Sequence, residues 1–184
     1  MFSTLWLIFR ALDQRPTFRR YAIGIQFLLD CVPPLVVVRQ AAADFRILAL
    51  QFVDTSFWIA LESSNDQYHS VALNYWREFQ QQPQPLVTTS YILDETATYF
   101  NTRGLHDKAI EIVTALSTST LVQFIHVDET LFNEGLHIFR QAKDKRYSLT
   151  DCISFAVMTN MKIETALSFD KHFEQSGFIK LPKI

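Results

Sequence analysis

Two short apolar runs in this chain end directly in an aspartate: residues 47–53 lead into Asp54, and residues 165–169 lead into Asp170. A run of four to eight apolar residues with no helical period reads as a buried strand. Between the two runs lie further short apolar segments at 86–89 and 121–127, and a fifth follows at 178–181. The stretches separating them have a different period. Tyr68, Val71, Ala72, Tyr75, Trp76 and Phe79 recur in steps of three and four, the mark of an amphipathic helix that Pro83 and Pro85 then stop. Helices are also expected from Phe57, over 90–103 with Gly104 closing it, over 107–117 and over 129–142. Residues 151–161 are apolar on nearly every side and read as a buried helix. Strands alternating with helices imply an α/β domain with a mostly parallel sheet.

Composition supports a globular domain: 48% of residues are hydrophobic, 20% are charged, and there are only four Gly. The net charge of −2 provides no global basic field, so any contact with nucleic acid must be local or aided by cations. The two cysteines, Cys31 and Cys152, are far apart and show no metal or redox spacing, which fits a reducing cytoplasm. Residues 1–50 differ from the rest: they hold six Arg and three Asp but neither Lys nor Glu. Their apolar runs are too short for the roughly 18 residues of a membrane span. We therefore divide the chain into an atypical extension, 1–49, and a catalytic-type domain, 50–184. The extension reads as translated sequence upstream of a natural start near Leu48, Leu50 or Val53. An amphipathic arm and a packed helical element are the alternatives.

In open parallel sheets, ligands bind beyond the carboxyl ends of the strands. Asp54 and Asp170 belong there. Asp151 opens the buried helix, and Glu95 sits early in the helix after the second strand. Each has a plainer reading. Asp54 and Asp170 could be helix or loop caps, and Asp94-Glu95 a solvated face. Asp151, three residues after Ser148, matches a capping box. Taken together, the four imply a cation site. Unit charges 4 Å apart repel by roughly 4 kcal/mol at an effective dielectric of 20. At least one carboxyl should therefore hold its proton unless Mg²⁺ or Mn²⁺ intervenes. A phosphatase with an aspartyl nucleophile would need a second Asp where Ser56 stands. A receiver domain would place its Asp at a middle strand, where Asp128 reads better as a helix cap.

The segments Phe52-Val53-Asp54-Thr55-Ser56, Thr88 to Thr96, Ser148-Leu149-Thr150-Asp151-Cys152 and Phe169-Asp170-Lys171-His172-Phe173 resemble the PIN-domain family, nearest its ribonuclease-toxin branch. The resemblance spans about residues 50–181 and nothing before residue 47. It implies an α/β/α sandwich, and a metal-dependent endoribonuclease that binds Mg²⁺ or Mn²⁺ through Asp54, Glu95, Asp151 and Asp170. Glu95 is favoured over its neighbour Asp94. Thr55, Ser56 and Thr150 match positions that support the acids. An RNA substrate, a cognate antitoxin and a homodimer are implied partners, with no membrane. A housekeeping RNA-processing nuclease and a non-catalytic binding module are the alternatives. Lys143, Lys145 and Arg146 precede the third acid and are candidates for phosphate contact, against a plain reading as a solvated loop. Lys171 and His172 adjoin the fourth acid, and His172 reads first as structural and second as a neighbour of the leaving group. Arg103 suits a helix C-terminus without any substrate. Trp58, Tyr75 and Trp76 read as core packing or a partner groove.

Overall fold

The strands are only three or four residues long, but each is paired along its length. The computed structural model describes residues 50–184. Its strands are β1 (Gln51–Val53), β2 (Leu86–Thr89), β3 (Val122–Ile125), β4 (Thr165–Leu167) and β5 (Ile179–Leu181). They form one sheet in the order β3-β2-β1-β4-β5, with every pair parallel. The helices are α1 (Thr55–Glu62), α2 (His69–Phe79), α3 (Ser90–Asn101), α4 (His106–Thr118), α5 (Glu129–Gln141), α6 (Leu149–Asn160) and α7 (His172–Gln175). Helices flank the sheet, so the α/β/α sandwich holds. All four residues of β2 are buried, as expected where a parallel strand is covered on both faces.

The chain order fixes where a site can form. From central β1 the chain builds outward through β2 to β3, then crosses back to add β4 and β5 on the other side. The reversal lies between β1 and β4, and a crevice at such a switch point is where parallel sheets hold ligands. The β1–β4 register pairs Val53 with Leu167, so the next residues along, Asp54 and Ser168, stand side by side at the carboxyl edge.

Four of the seven described helices start with a side-chain cap. Asp54 accepts from Ser56 N at 3.2 Å, Thr89 from Ile92 N at 3.2 Å, and Asp128 from Leu131 N at 2.8 Å. Ser148 and Asp151 form a complete capping box on α6. After α3, Gly104 takes the left-handed conformation (φ 75°) that ends the segment. The α1–α2 pair carries an aromatic core in which Trp58 and Trp76 meet edge to face at 6.0 Å, both fully buried, so they serve packing. Tyr75 packs against the same core. Arg103 donates to Tyr99 O at 3.0 Å and stacks on the Tyr99 ring, a local helix-end role.

Two expectations need correction, and one element was not expected. The apolar run suggests a first strand from residue 47; β1 begins at Gln51, and residues 47–49 lie outside the described residues, as does everything expected of 1–49. The fourth strand stops at Leu167, so Asp170 lies three residues beyond it rather than directly at its end. The cause is local: Phe169 N donates to Ser56 Oγ at 2.9 Å instead of to a strand, and its ring stacks on Tyr68 at 4.5 Å. The short helix α7 has no counterpart in the sequence pattern, because four residues are too few to show a helical period.

Gly135 is the one buried residue of α5 and marks where α5 crosses α6. A Cβ there would lie 2.5 Å from Ile153 Cγ1 and 2.9 Å from its backbone Cα. Gly135→Ala is therefore expected to destabilise the fold by about 1–3 kcal/mol, although alanine is the better helix former. Urea denaturation of the two proteins measures this; an unchanged or raised midpoint would contradict such close helix packing.

Candidate active site at the sheet switch point

Asp54 anchors the site. It is 6% exposed, and the hydrogen bonds its carboxylate takes from the described residues fall on one oxygen, Oδ2. That oxygen accepts from Ser56 N at 3.2 Å, Ser56 Oγ at 2.6 Å and Ser168 Oγ at 2.9 Å. The two hydroxyls also accept: Ser56 Oγ from Phe169 N at 2.9 Å, and Ser168 Oγ from Asp170 N at 2.9 Å. Asp54 is thus tied through two serines to the backbone that carries Asp170.

The next residue, Thr55, donates from Oγ1 to Glu95 Oε2 at 2.6 Å, which brings α3's acid to the start of α1. Asp94 is exposed and takes no part. Asp151 uses Oδ2 to accept from Ser148 N at 2.8 Å, and the same oxygen lies 3.1 Å from His172 Nδ1. Asp170 Oδ1 accepts from His172 N at 2.9 Å and lies 3.3 Å from His172 Nδ1. Donor atoms of Asp151, Asp170 and His172 all fall within 4.8 Å of one another.

The four carboxylates share one pattern. Each takes its hydrogen bonds from the described residues on a single oxygen. Asp54 Oδ1, Glu95 Oε1, Asp151 Oδ1 and Asp170 Oδ2 take none from them. One half of each carboxylate is fixed, and the other half is left as a hard oxygen donor. That donor set suits Mg²⁺ or Mn²⁺.

Burial pushes the Asp54 carboxyl up to about 6; the Ser56 and Ser168 hydroxyls pull it down, the Asp151 charge pushes it up, and Ser56 N–H pulls it down. A raised carboxyl is the expected sign of a crowded acidic site, but removal from water matters more here than repulsion.

The structure joins Asp54 to the Asp170 segment and Glu95 to Thr55, and gathers Asp151, Asp170 and His172. Thr55 and Ser56 support acids as expected. The Thr150 hydroxyl makes no hydrogen bond to an acid among the described residues; Ser168 supplies the missing support. The sequence offered one signal for Ser168, a polar residue inside an otherwise apolar strand run. Lys143, Lys145 and Arg146 are exposed in the loop before α6, with Lys145 3.7 Å from Asp144, and Lys171 is exposed beside α7. His172 is partly buried, and its Nδ1 lies beside two acids.

An all-parallel five-stranded sandwich with four carboxylates at its switch point describes a PIN domain, and the chain belongs to that family: the PIN-domain model matches residues 52–179. Among particular relatives, the chain is 35% identical over 130 residues to the 23S rRNA-specific endonuclease VapC20 of Mycobacterium tuberculosis, in strains CDC 1551 / Oshkosh and ATCC 25618 / H37Rv. The match covers 71% of this chain and 96% of the relative. The crystal structure of Mycobacterium tuberculosis VapC20, described as a sarcin-ricin loop cleaving toxin, superposes with a TM-score of 0.65 at 34% identity. It covers 70% of this chain and 96% of that one.

Without a cation, folded Asp54 keeps its proton to about pH 6, while the unfolded chain loses it near the ordinary value of 3.8. Between those values the folded state binds more protons, so stability falls as pH rises, by up to roughly 3 kcal/mol. Asp54→Asn is therefore expected to be more stable than the wild type near neutral pH in EDTA, with the difference vanishing below about pH 4. Denaturant melts across pH test this. A variant equally destabilised at every pH would mean that the Asp54 charge carries no such cost.

Proposed function

We propose that this chain is a divalent-cation-dependent endoribonuclease of the toxin type, hydrolysing RNA phosphodiester bonds in the cytoplasm. The observation that carries the reading is the one-sided hydrogen bonding of Asp54, Glu95, Asp151 and Asp170. Each acid is held through one oxygen and keeps the other for a ligand, and the Asp54, Asp151 and Asp170 segments are tied together by Ser168 and His172. Asp54, Glu95, Asp151 and Asp170 would hold Mg²⁺ or Mn²⁺. Bound there, such an ion supplies charge neutralisation at the scissile phosphate and a lowered pKa for attacking water.

The protein's own part is positioning. Ser56 and Ser168 fix Asp54, Thr55 fixes Glu95, and the capping box fixes Asp151, so little reorganisation is needed when substrate arrives. The site offers no activated protein nucleophile: Cys152 is buried, and burial followed by the Asp151 charge pushes its thiol up to about 11. Hydrolysis by water fits better than covalent catalysis. Lys143, Lys145, Arg146 and Lys171 flank the elements bearing Asp151 and Asp170 and would meet RNA phosphates.

The similarity to VapC20 supports structured ribosomal RNA as the substrate class and a cognate antitoxin as partner. Homodimerisation is part of the same proposal. We assign catalysis to residues 50–184 and none to 1–49. Among the described residues no helix is long and apolar enough to cross a membrane.

Incubating the full chain with intact ribosomes and with total RNA, in Mg²⁺ or Mn²⁺, tests the reading. Discrete cleavage is expected, abolished in EDTA and reduced roughly 100-fold or more in Asp54→Asn and Asp151→Asn. Cleavage that persists in both variants would place the activity elsewhere. A folded wild type that binds no cation and cuts nothing would favour a binding module. Alanine at Lys143, Lys145 or Arg146 should weaken substrate binding and lower its salt slope by about 0.7 for each phosphate no longer neutralised. An unchanged slope would return that loop to plain solvation.

A further inference from the structure

The four acids leave one inward-facing group unused. His172 opens α7 with its side chain 16% exposed, and its Nδ1 stands between two carboxylates, 3.1 Å from Asp151 Oδ2 and 3.3 Å from Asp170 Oδ1. An ionised carboxylate only accepts hydrogen bonds, so the tautomer with Nδ1–H is the one that satisfies the 3.1 Å contact with Asp151. We propose that His172 is a positioning residue whose Nδ1–H donates to Asp151 Oδ2 while standing 3.3 Å from Asp170 Oδ1, and that this contact sets the spacing of the two acids, so that their remaining oxygens engage the same cation. This rests on the metal-site reading above and adds to it a determinant of ion affinity outside the acids.

Three observations support the assignment. Nδ1 stands against oxygens that are already committed: Asp151 Oδ2 also accepts from Ser148 N, and Asp170 Oδ1 from His172 N. It therefore consumes neither of the oxygens left for an ion. The ring is also held in place. Tyr147 meets it edge to face at 5.2 Å, Tyr147 meets Phe155 of α6 at 5.2 Å, and Phe155 meets Phe173 at 5.3 Å. Phe173 is fully buried and adjoins His172 in the chain. The helix bearing Asp151 and the helix bearing His172 are thus locked together through aromatic contacts. Finally, Asp151 and Asp170 come from elements far apart in sequence, and among the described residues His172 Nδ1 is the side-chain nitrogen that stands beside both. Groups that orient metal ligands in this way typically change affinity 10–100-fold when removed.

The test uses the full chain and Mn²⁺ alone as probe. Wild type, His172→Asn, His172→Gln and His172→Leu are compared for Mn²⁺ affinity by the EPR signal of free ion, and for the Tm of the ion-free protein. The Asn amide nitrogen reaches the place of Nδ1, whereas the Gln amide reaches that of Nε2. Expected is a 10–100-fold loss of affinity in His172→Gln and His172→Leu, with His172→Asn recovering most of it. The ion-free Tm of the Asn and Gln variants should agree, which a merely structural role would not combine with different affinities. Unchanged affinity in His172→Gln, or equal loss in Asn and Gln, would overturn the proposal. So would a directly bound imidazole nitrogen in the pulsed-EPR spectrum of wild-type Mn²⁺, because Nδ1 would then be a ligand. A wild type that binds no Mn²⁺ would instead overturn the metal-site reading itself.

Discussion

The parallel pairing of β1 with β4 decides where every candidate functional side chain falls. With Val53 opposite Leu167, the next residues on each strand are Asp54 and Ser168, and their side chains meet at 2.9 Å. A slip of one residue in either strand would turn that strand's side chains to the other face of the sheet and part the pair. The same pairing fixes the loop that follows β4. Asp170 N reaches Ser168 Oγ and Phe169 N reaches Ser56 Oγ, so the second aspartate is placed by hydrogen bonds to the residues that hold the first. The short strands can specify so much because they are buried on both sides and flanked by an aromatic core that resists sliding.

This arrangement trades stability for readiness. Asp54 is almost wholly removed from water, and three donors on Oδ2 offset only part of the cost, which is why its carboxyl remains raised. A fully satisfied carboxylate would be more comfortable, but it would have no oxygen left for a cation. Under the metal-site proposal, the cost of burying this charge in the ion-free fold would be returned as binding energy when a divalent ion arrives, since ion binding and folding are thermodynamically linked. A site built this way should be rigid before it is loaded, and the tied halves of the four carboxylates are consistent with that.

Much of this was legible in the chain. Periodicity gave the order of strands and helices, and the apolar runs leading to Asp54 and Asp170 marked the correct edge of the sheet. The four acids stood out because of their positions relative to strands, and the structure links Asp54 with the Asp170 segment, Glu95 with Thr55, and Asp151 with Asp170. What was not legible depends on three-dimensional closeness. Ser168 is one hydroxyl in an apolar run, and its importance appears only when β4 is set beside β1. His172 looked peripheral because sequence shows its neighbour Asp170 but not Asp151, twenty-one residues earlier. Thr150 went the other way: its place beside Asp151 suggested support, yet the helix turns its hydroxyl to no acid.

The competing plain readings of the acids turn out to be compatible with the functional one. Asp54 does cap α1, and Asp151 does complete the capping box of α6. A carboxylate has two oxygens, and a helix N-terminus needs only one. Capping therefore orients the side chain through one oxygen and leaves the second without a hydrogen bond from the described residues. The same hydrogen bond that starts the helix removes the side chain's freedom to turn elsewhere. A cap signature in such a sequence is therefore no argument against a catalytic acid when the cap follows a strand of a parallel sheet.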